Sequence, residues 1–171
     1  MKTAIILGSS RSNGNTAKLV DYVSRRVNAD VYDLNQYRIE PFNYDNRYQD
    51  DFGSLAEQLL EYDNLVLASP MYWYSASAQM KVFLDRISDL LDFEKGKGRQ
   101  LRGKSAGLLA SGNDSTPPEC FEQMFELTFK YLGMNYLGMS YASFGQSETL
   151  SQHTLALDEF AYQFQSAAKQ G

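Results

Sequence analysis

The chain has one cysteine, Cys120, and one histidine, His153, in 171 residues. A lone thiol cannot build an internal disulfide framework, and one thiol plus one imidazole cannot furnish a zinc site of the usual kind. Runs of apolar residues are short, well under the roughly 18 needed to span a bilayer as a helix. The net charge of −5 lacks the positive surplus with which general nucleic-acid binders neutralise phosphate. No Gly-x-Ser-x-Gly occurs, so a serine hydrolase would have no nucleophile elbow. The N-terminus opens on a strand pattern rather than a basic segment and an apolar stretch, so no secretory leader is expected. These absences predict a soluble cytoplasmic protein with no nucleic-acid partner, no membrane insertion and no metal.

What is present is ordinary in bulk and specific in detail. A 43% hydrophobic and 22% charged composition suits a globular chain, and the length suits one domain over residues 1–171. Short apolar runs alternate with helical patterns. Strands are predicted over 3–7, 30–34, 64–68, 105–110 and 136–141. Helices are predicted over 16–28, 54–61, 77–91, 118–132 and 154–169. The runs Ile5-Ile-Leu7, Leu65-Val-Leu67 and Gly107-Leu-Leu109 do not alternate, as strands covered on both faces require. Five strand-then-helix units predict an α/β three-layer sandwich with a five-stranded parallel sheet of flavodoxin-like order 2-1-3-4-5. Ligands of such sheets sit beyond the carboxyl ends of strands 1 and 3.

The loop Gly8-Ser-Ser-Arg-Ser-Asn-Gly-Asn-Thr16 lies at that place, between the first strand and the first helix. Helix-opening N–H groups lack internal partners and carry partial positive charge, so a small polar turn there suits a phosphate. An ATP or GTP loop needs Gly-Lys-Ser/Thr after four residues; here Gly8 and Gly14 are one residue too far apart and Asn15 replaces the lysine. A dinucleotide fingerprint needs three glycines that are not there. What remains is a cradle of Ser9, Ser10, Ser12, Thr16 and Arg11 suited to a terminal phosphate monoester. The plainer alternative is a polar turn that caps a helix.

The third strand ends in Pro70-Met71 and three aromatics, Tyr72, Trp73 and Tyr74. Such an edge calls for a flat partner: an aromatic heterocycle, a neighbouring loop or another subunit. Residues 35–53 form a long aromatic-rich connection, read either as a lid or dimer contact or as an insertion packed on the body. Cys120 is expected to be partly buried, and Lys81, Asp85 and Arg86 to form a charged helix face. His153 reads as a cap or surface residue, with proton donation to a substrate as the alternative.

Gly8-Ser-Ser-Arg…Gly-Asn-Thr16, Ser69-Pro-Met-Tyr-Trp73 and Ser77-Ala-Gln-Met-Lys-x-Phe-x-Asp-Arg86 together resemble the NAD(P)H-dependent FMN reductase family of flavodoxin-like oxidoreductases. The likeness runs from Lys2 to about Asn113. It implies that the first loop, Ser9, Ser10, Arg11, Asn13, Gly14, Asn15 and Thr16, holds the FMN phosphate. Pro70, Met71, Tyr72 and Trp73 would then hold the isoalloxazine edge, and Ser111, Gly112 and Asn113 its pyrimidine side. Some relatives carry a cysteine cluster near the motif that reads Tyr37-Arg-Ile-Glu-Pro41 here; this chain has no cysteine there, which leaves an iron–sulfur cluster without ligands.

The resemblance further implies electron transfer from NADPH or NADH through bound flavin to a small-molecule acceptor such as a quinone, an azo compound or free flavin. It also implies a homodimer or homotetramer, with Met124, Phe125, Phe129 and Tyr131 as contact residues or as core. No side chain is required as acid or base, so no catalytic residue is named. An FMN electron carrier without NAD(P)H activity and a flavin-binding sensory module are the alternatives.

Overall fold

The computed structural model describes residues 1–145 and 149–166. Its elements are β1 (Thr3–Leu7), α1 (Asn15–Val27), β2 (Asp30–Asp33), α2 (Phe52–Leu60), β3 (Asn64–Tyr72), β4 (Ser75–Ala76), α3 (Ala78–Asp92), α4 (Lys95–Gly98), β5 (Ser105–Gly112), α5 (Glu119–Tyr131), β6 (Asn135–Ser143) and α6 (Thr154–Ser166). Strands β2-β1-β3-β5-β6 lie side by side and all pair in parallel. This is the predicted 2-1-3-4-5 order, with one addition. β4 is a two-residue sixth strand that folds back antiparallel on the end of β3.

Because successive strand residues face opposite sides, each unbroken apolar run feeds two cores at once. Ile5, Leu7, Val66 and Leu109 meet Leu19, Val20 and Val23 of α1 and Leu157, Phe160 and Phe164 of α6. On the other face, Ile6, Leu67 and Leu108 meet Phe52 and Leu55 of α2, Met80 and Phe83 of α3, and Phe121, Phe125 and Phe129 of α5. Phe125 and Phe129 are therefore core, Met124 is half-buried, and Tyr131 is exposed.

Strand ends shifted most from expectation. β3 and β5 run on to Tyr72 and Gly112, past the predicted ends at 68 and 110, because Ser69 and Pro70 stay in register with Ala110 and Ser111. Ser77, read as helical, is instead the N-cap of α3. Residues 167–169 of the last expected helix lie outside the described residues. Cys120 is exposed rather than partly buried.

Arg86 corrects the expected charged helix face. Lys81 and Asp85 do form an exposed pair four residues apart, but Arg86 is only 2% exposed. Its guanidinium pairs with Asp50 and with Asp89, donates to the Glu40 carbonyl at 2.9 Å, and lies over the Tyr48 ring. The connection 35–53 is thus bolted to α3 and takes the packed-insertion form. Its two arms also bond each other, through Arg38 and Glu40 N–H groups on the Asp51 and Asp50 carboxylates at 2.8 Å each. Burial alone would raise the Asp50 carboxyl. The Arg86 hydrogen bond and the Glu40 and Phe52 N–H groups outweigh it and hold the carboxyl below its ordinary range.

Arg86→Met leaves two buried carboxylates without their cation and is expected to lower stability by about 3 kcal/mol in urea unfolding. A depressed carboxyl adds stability above its unfolded pKa and loses it as pH falls through the folded value. The stability gap between the native chain and Asp50→Asn should therefore narrow as pH drops below about 4; a gap unchanged at pH 3 would contradict the assignment.

Candidate functional site

The carboxyl ends of β1, β3 and β5 meet where the winding of the sheet reverses. Gly8 leaves β1 with its N–H still bonded to the Ala68 carbonyl at 2.8 Å. A Cβ on Gly8 would lie 2.7 Å from Met80 Cβ and 3.0 Å from its Cα, so only glycine lets α3 pack this close. Ser77 joins the loops. Its Oγ donates to the Gly8 carbonyl at 2.6 Å and accepts from Met80 N–H at 3.1 Å, and its own N–H donates to Ser69 Oγ at 3.0 Å. The Thr16 and Ser111 hydroxyls bond each other at 2.7 Å in a buried setting, which ties the first loop to the turn after β5.

Helix α1 begins differently from α3. Its N-cap is Gly14, with no side-chain cap. The N–H groups of Asn15, Thr16 and Ala17 have no hydrogen-bond acceptor among the described residues. Asn15 and Thr16 line an open cleft at this end of the helix. Ser9, Arg11, Gly14, Asn15 and Thr16 line one end, Pro70, Met71 and Tyr72 a second wall, and Ser111, Gly112 and Asn113 a third. All three expected segments are brought together. Among the described residues no carboxylate lines the cleft, and Arg11 is the one formally charged side chain that does.

Ser10, Asn13 and Trp73 are not among the cleft-lining residues. Ser10 and Asn13 are exposed. Trp73, 94% exposed, sits with Tyr74 at the tip of the β3–β4 hairpin. Both have positive φ, 48° and 63°, as a two-residue type I′ turn demands. Side chains with a Cβ pay roughly 1–2 kcal/mol each for that conformation. The turn holds two strained aromatics beside the cleft.

Two supporting residues, Asn35 and Tyr141, had no sequence motif. Asn35 donates from Nδ2 to the Ser9 carbonyl at 2.6 Å and to Ser12 Oγ at 3.3 Å, while its own N–H is held by Asp33 Oδ1 at 3.0 Å. Its position just past β2, at the same sheet edge, is the signal that would have found it. Tyr141 donates to the Asp114 carbonyl at 2.8 Å. A Cβ on Gly112 would fall 2.4 Å from that hydroxyl, so the glycine makes room for the ring that braces the third wall. His153 Nε2 lies 2.8 Å from the Ser143 carbonyl, which only accepts; the histidine donates there and does not line the cleft.

The NADPH-dependent FMN reductase model matches residues 1–149. The chain belongs to this family. It is 33% identical over 151 residues to YwqN of Bacillus subtilis (strain 168), provisionally named as an NAD(P)H-dependent FMN-containing oxidoreductase, with 79% of this chain and 81% of YwqN covered. It is 27% identical over 122 residues to the FMN-dependent NADPH-azoreductase of Staphylococcus aureus, covering 65% and 64% of the two chains. The fold matches that of a WrbA-like flavodoxin protein from Agrobacterium tumefaciens with a TM-score of 0.66 at 17% identity, over 99% of each chain.

Family membership makes the chain an oxidoreductase that uses FMN and NAD(P)H, and separates it from a plain flavodoxin carrier. The donor set of the cleft fits FMN: uncapped N–H groups, hydroxyls and one guanidinium for a phosphate, and a walled slot for a ring system. Asn35→Ala removes two bonds that shape the first loop. It is expected to weaken FMN binding by about fivefold, the worth of about 1 kcal/mol, in a fluorescence-quenching titration. Unchanged affinity would show that Asn35 plays no part in holding the loop.

Proposed function

We propose that the cleft between residues 9–16, 70–72 and 111–113 holds FMN and that the enzyme reduces small, flat electron acceptors such as quinones, azo compounds or free flavin. The observation that carries this reading is the α1 amino end, which has no side-chain cap and faces a cleft that no carboxylate lines among the described residues. The Asn15, Thr16 and Ala17 N–H groups and the Ser9 hydroxyl donate to the phosphate, and Arg11 supplies the one full positive charge. Pro70, Met71 and Tyr72 press on one edge of the ring system, and Ser111, Gly112 and Asn113 on another. Bound FMN supplies two-electron redox chemistry, accepting from NAD(P)H and delivering to the acceptor. The chain's own work is to position the ring, keep the phosphate fixed and leave one face open. The azoreductase name of the Staphylococcus relative supports an azo acceptor.

The exposed Tyr72, Trp73 and Tyr74 beside the cleft favour a homo-oligomer in which a second subunit covers this rim. A cytoplasmic setting suits the NAD(P)H supply, and among the described residues no helix is long and apolar enough to cross a membrane.

Anaerobic addition of NADPH or NADH to the FMN-saturated protein should bleach the flavin absorbance within seconds, and a quinone or azo dye should restore it. Flavin that stays oxidised would refute the reductase reading. Arg11→Ala is expected to weaken FMN by tenfold or more, since a hydrogen bond to a charged group contributes about 1.5–3 kcal/mol, while riboflavin binding stays nearly constant. Equal losses for both ligands would remove the phosphate from this loop.

A further inference from the structure

The ten residues 95–104, Lys-Gly-Lys-Gly-Arg-Gln-Leu-Arg-Gly-Lys, hold five of the sixteen basic side chains and no acid, in a chain of net charge −5. Two of the five are engaged. Lys97 pairs with Glu57 and Glu94, and Lys104 donates to the Leu60 and Tyr62 carbonyls at the end of α2. The other three, Lys95, Arg99 and Arg102, form no hydrogen bond or ion pair through their side chains with any described residue. All three line one open surface pocket.

The pocket has more than charge. Leu91 and Leu132 give it an apolar floor, and Tyr131, 82% exposed, stands at its edge. Arg102 is held in place from below. Its Cγ would lie only 3.1 Å from a Cβ on Gly133, a residue at φ +73°, and the next N–H, that of Gly103, bonds the Gly133 carbonyl at 2.9 Å. Three cations converging on a concave, partly apolar surface repel one another and focus a positive field there. No described carboxylate forms an ion pair with any of the three.

Position separates this pocket from the flavin cleft. It is built from the carboxyl ends of α3 and α5 and from the segment that enters β5, all at the amino ends of the strands. The eight residues of β5 put it on the order of 25 Å from the cleft. A nicotinamide that reduces the flavin cannot be the occupant.

We propose that this pocket binds a second, non-redox nucleotide. Its phosphates lie against Lys95, Arg99 and Arg102, whose planar guanidinium groups match phosphate oxygens two at a time. Its base lies on the Tyr131 ring and the leucine floor, where stacking and burial add to the charge.

The test is calorimetric titration of the FMN-saturated protein with ADP, pyrophosphate and adenosine. ADP is expected to bind more tightly than either fragment and to weaken at least tenfold in the R99Q/R102Q double variant. Tyr131→Ala should weaken ADP severalfold and leave pyrophosphate unchanged. Turnover at saturating NADPH should be unaffected by R99Q/R102Q, whose side chains form no hydrogen bond or ion pair with any described residue and lie far from the flavin cleft. ADP affinity that is the same in R99Q/R102Q would place the nucleotide in the donor site and overturn the proposal. So would pyrophosphate binding as tightly as ADP. Sedimentation with phosphatidylglycerol vesicles, with no heat from ADP, would instead make the patch a membrane-facing surface and equally overturn it.

Discussion

The seam between β1 and β3 is the constraint on which the site depends. These two central strands end side by side, and their last backbone bond, Gly8 N–H to the Ala68 carbonyl, extends the ladder into the loops. Ser77 then closes the seam by holding Gly8 on one side and Ser69 on the other. Those bonds are buried, where an unpaired donor or acceptor is costly, so the two loops keep one relative placement. The close approach of Gly8 to Met80 serves the same end by seating α3 directly beneath the junction. A cleft built on this seam is preorganised before any ligand arrives, which lowers the entropic cost of binding.

The sheet supplies the frame and the connections supply the chemistry. Because both faces of the sheet are covered by helices, polar work can be done only at its edges and ends. The carboxyl end gathers hydroxyls, free N–H groups and one arginine; the amino end gathers three cations without an ion pair among the described residues. The buried Arg86 stands between these as a purely structural charge. It fastens the connection 35–53 to α3 through Asp50 and the Glu40 carbonyl, and so keeps a long aromatic segment packed in one arrangement.

Local patterns made the frame legible from the sequence. Unbroken apolar runs such as Ile5-Ile-Leu7 and helical spacing in α3 led directly to the parallel order. The cleft was legible for a related reason: sheet topology says where a ligand sits, and the residues found there carry suitable donors. Less legible were features set by partners distant in sequence. Arg86 follows Asp85 in a helix whose charges read as a solvated face, and only the return of Asp50 to its side reveals that it is buried. The Trp73-Tyr74 turn lacks the Asn-Gly pattern that announces a hairpin, because its residues are chosen against local preference. Asn35 acts across 26 residues on the Ser9 carbonyl, a contact that no spacing rule encodes.

The central claim is that the amino end of α1 receives the phosphate while the β3 and β5 ends receive the ring. Backbone amide NMR with FMN and riboflavin as paired ligands separates the two most directly. FMN should move the amides of residues 15–17 strongly together with those of 71–72 and 111–113, whereas riboflavin should move only the latter two sets. If FMN leaves residues 15–17 unmoved, or riboflavin moves them as far, the uncapped helix is not the phosphate site.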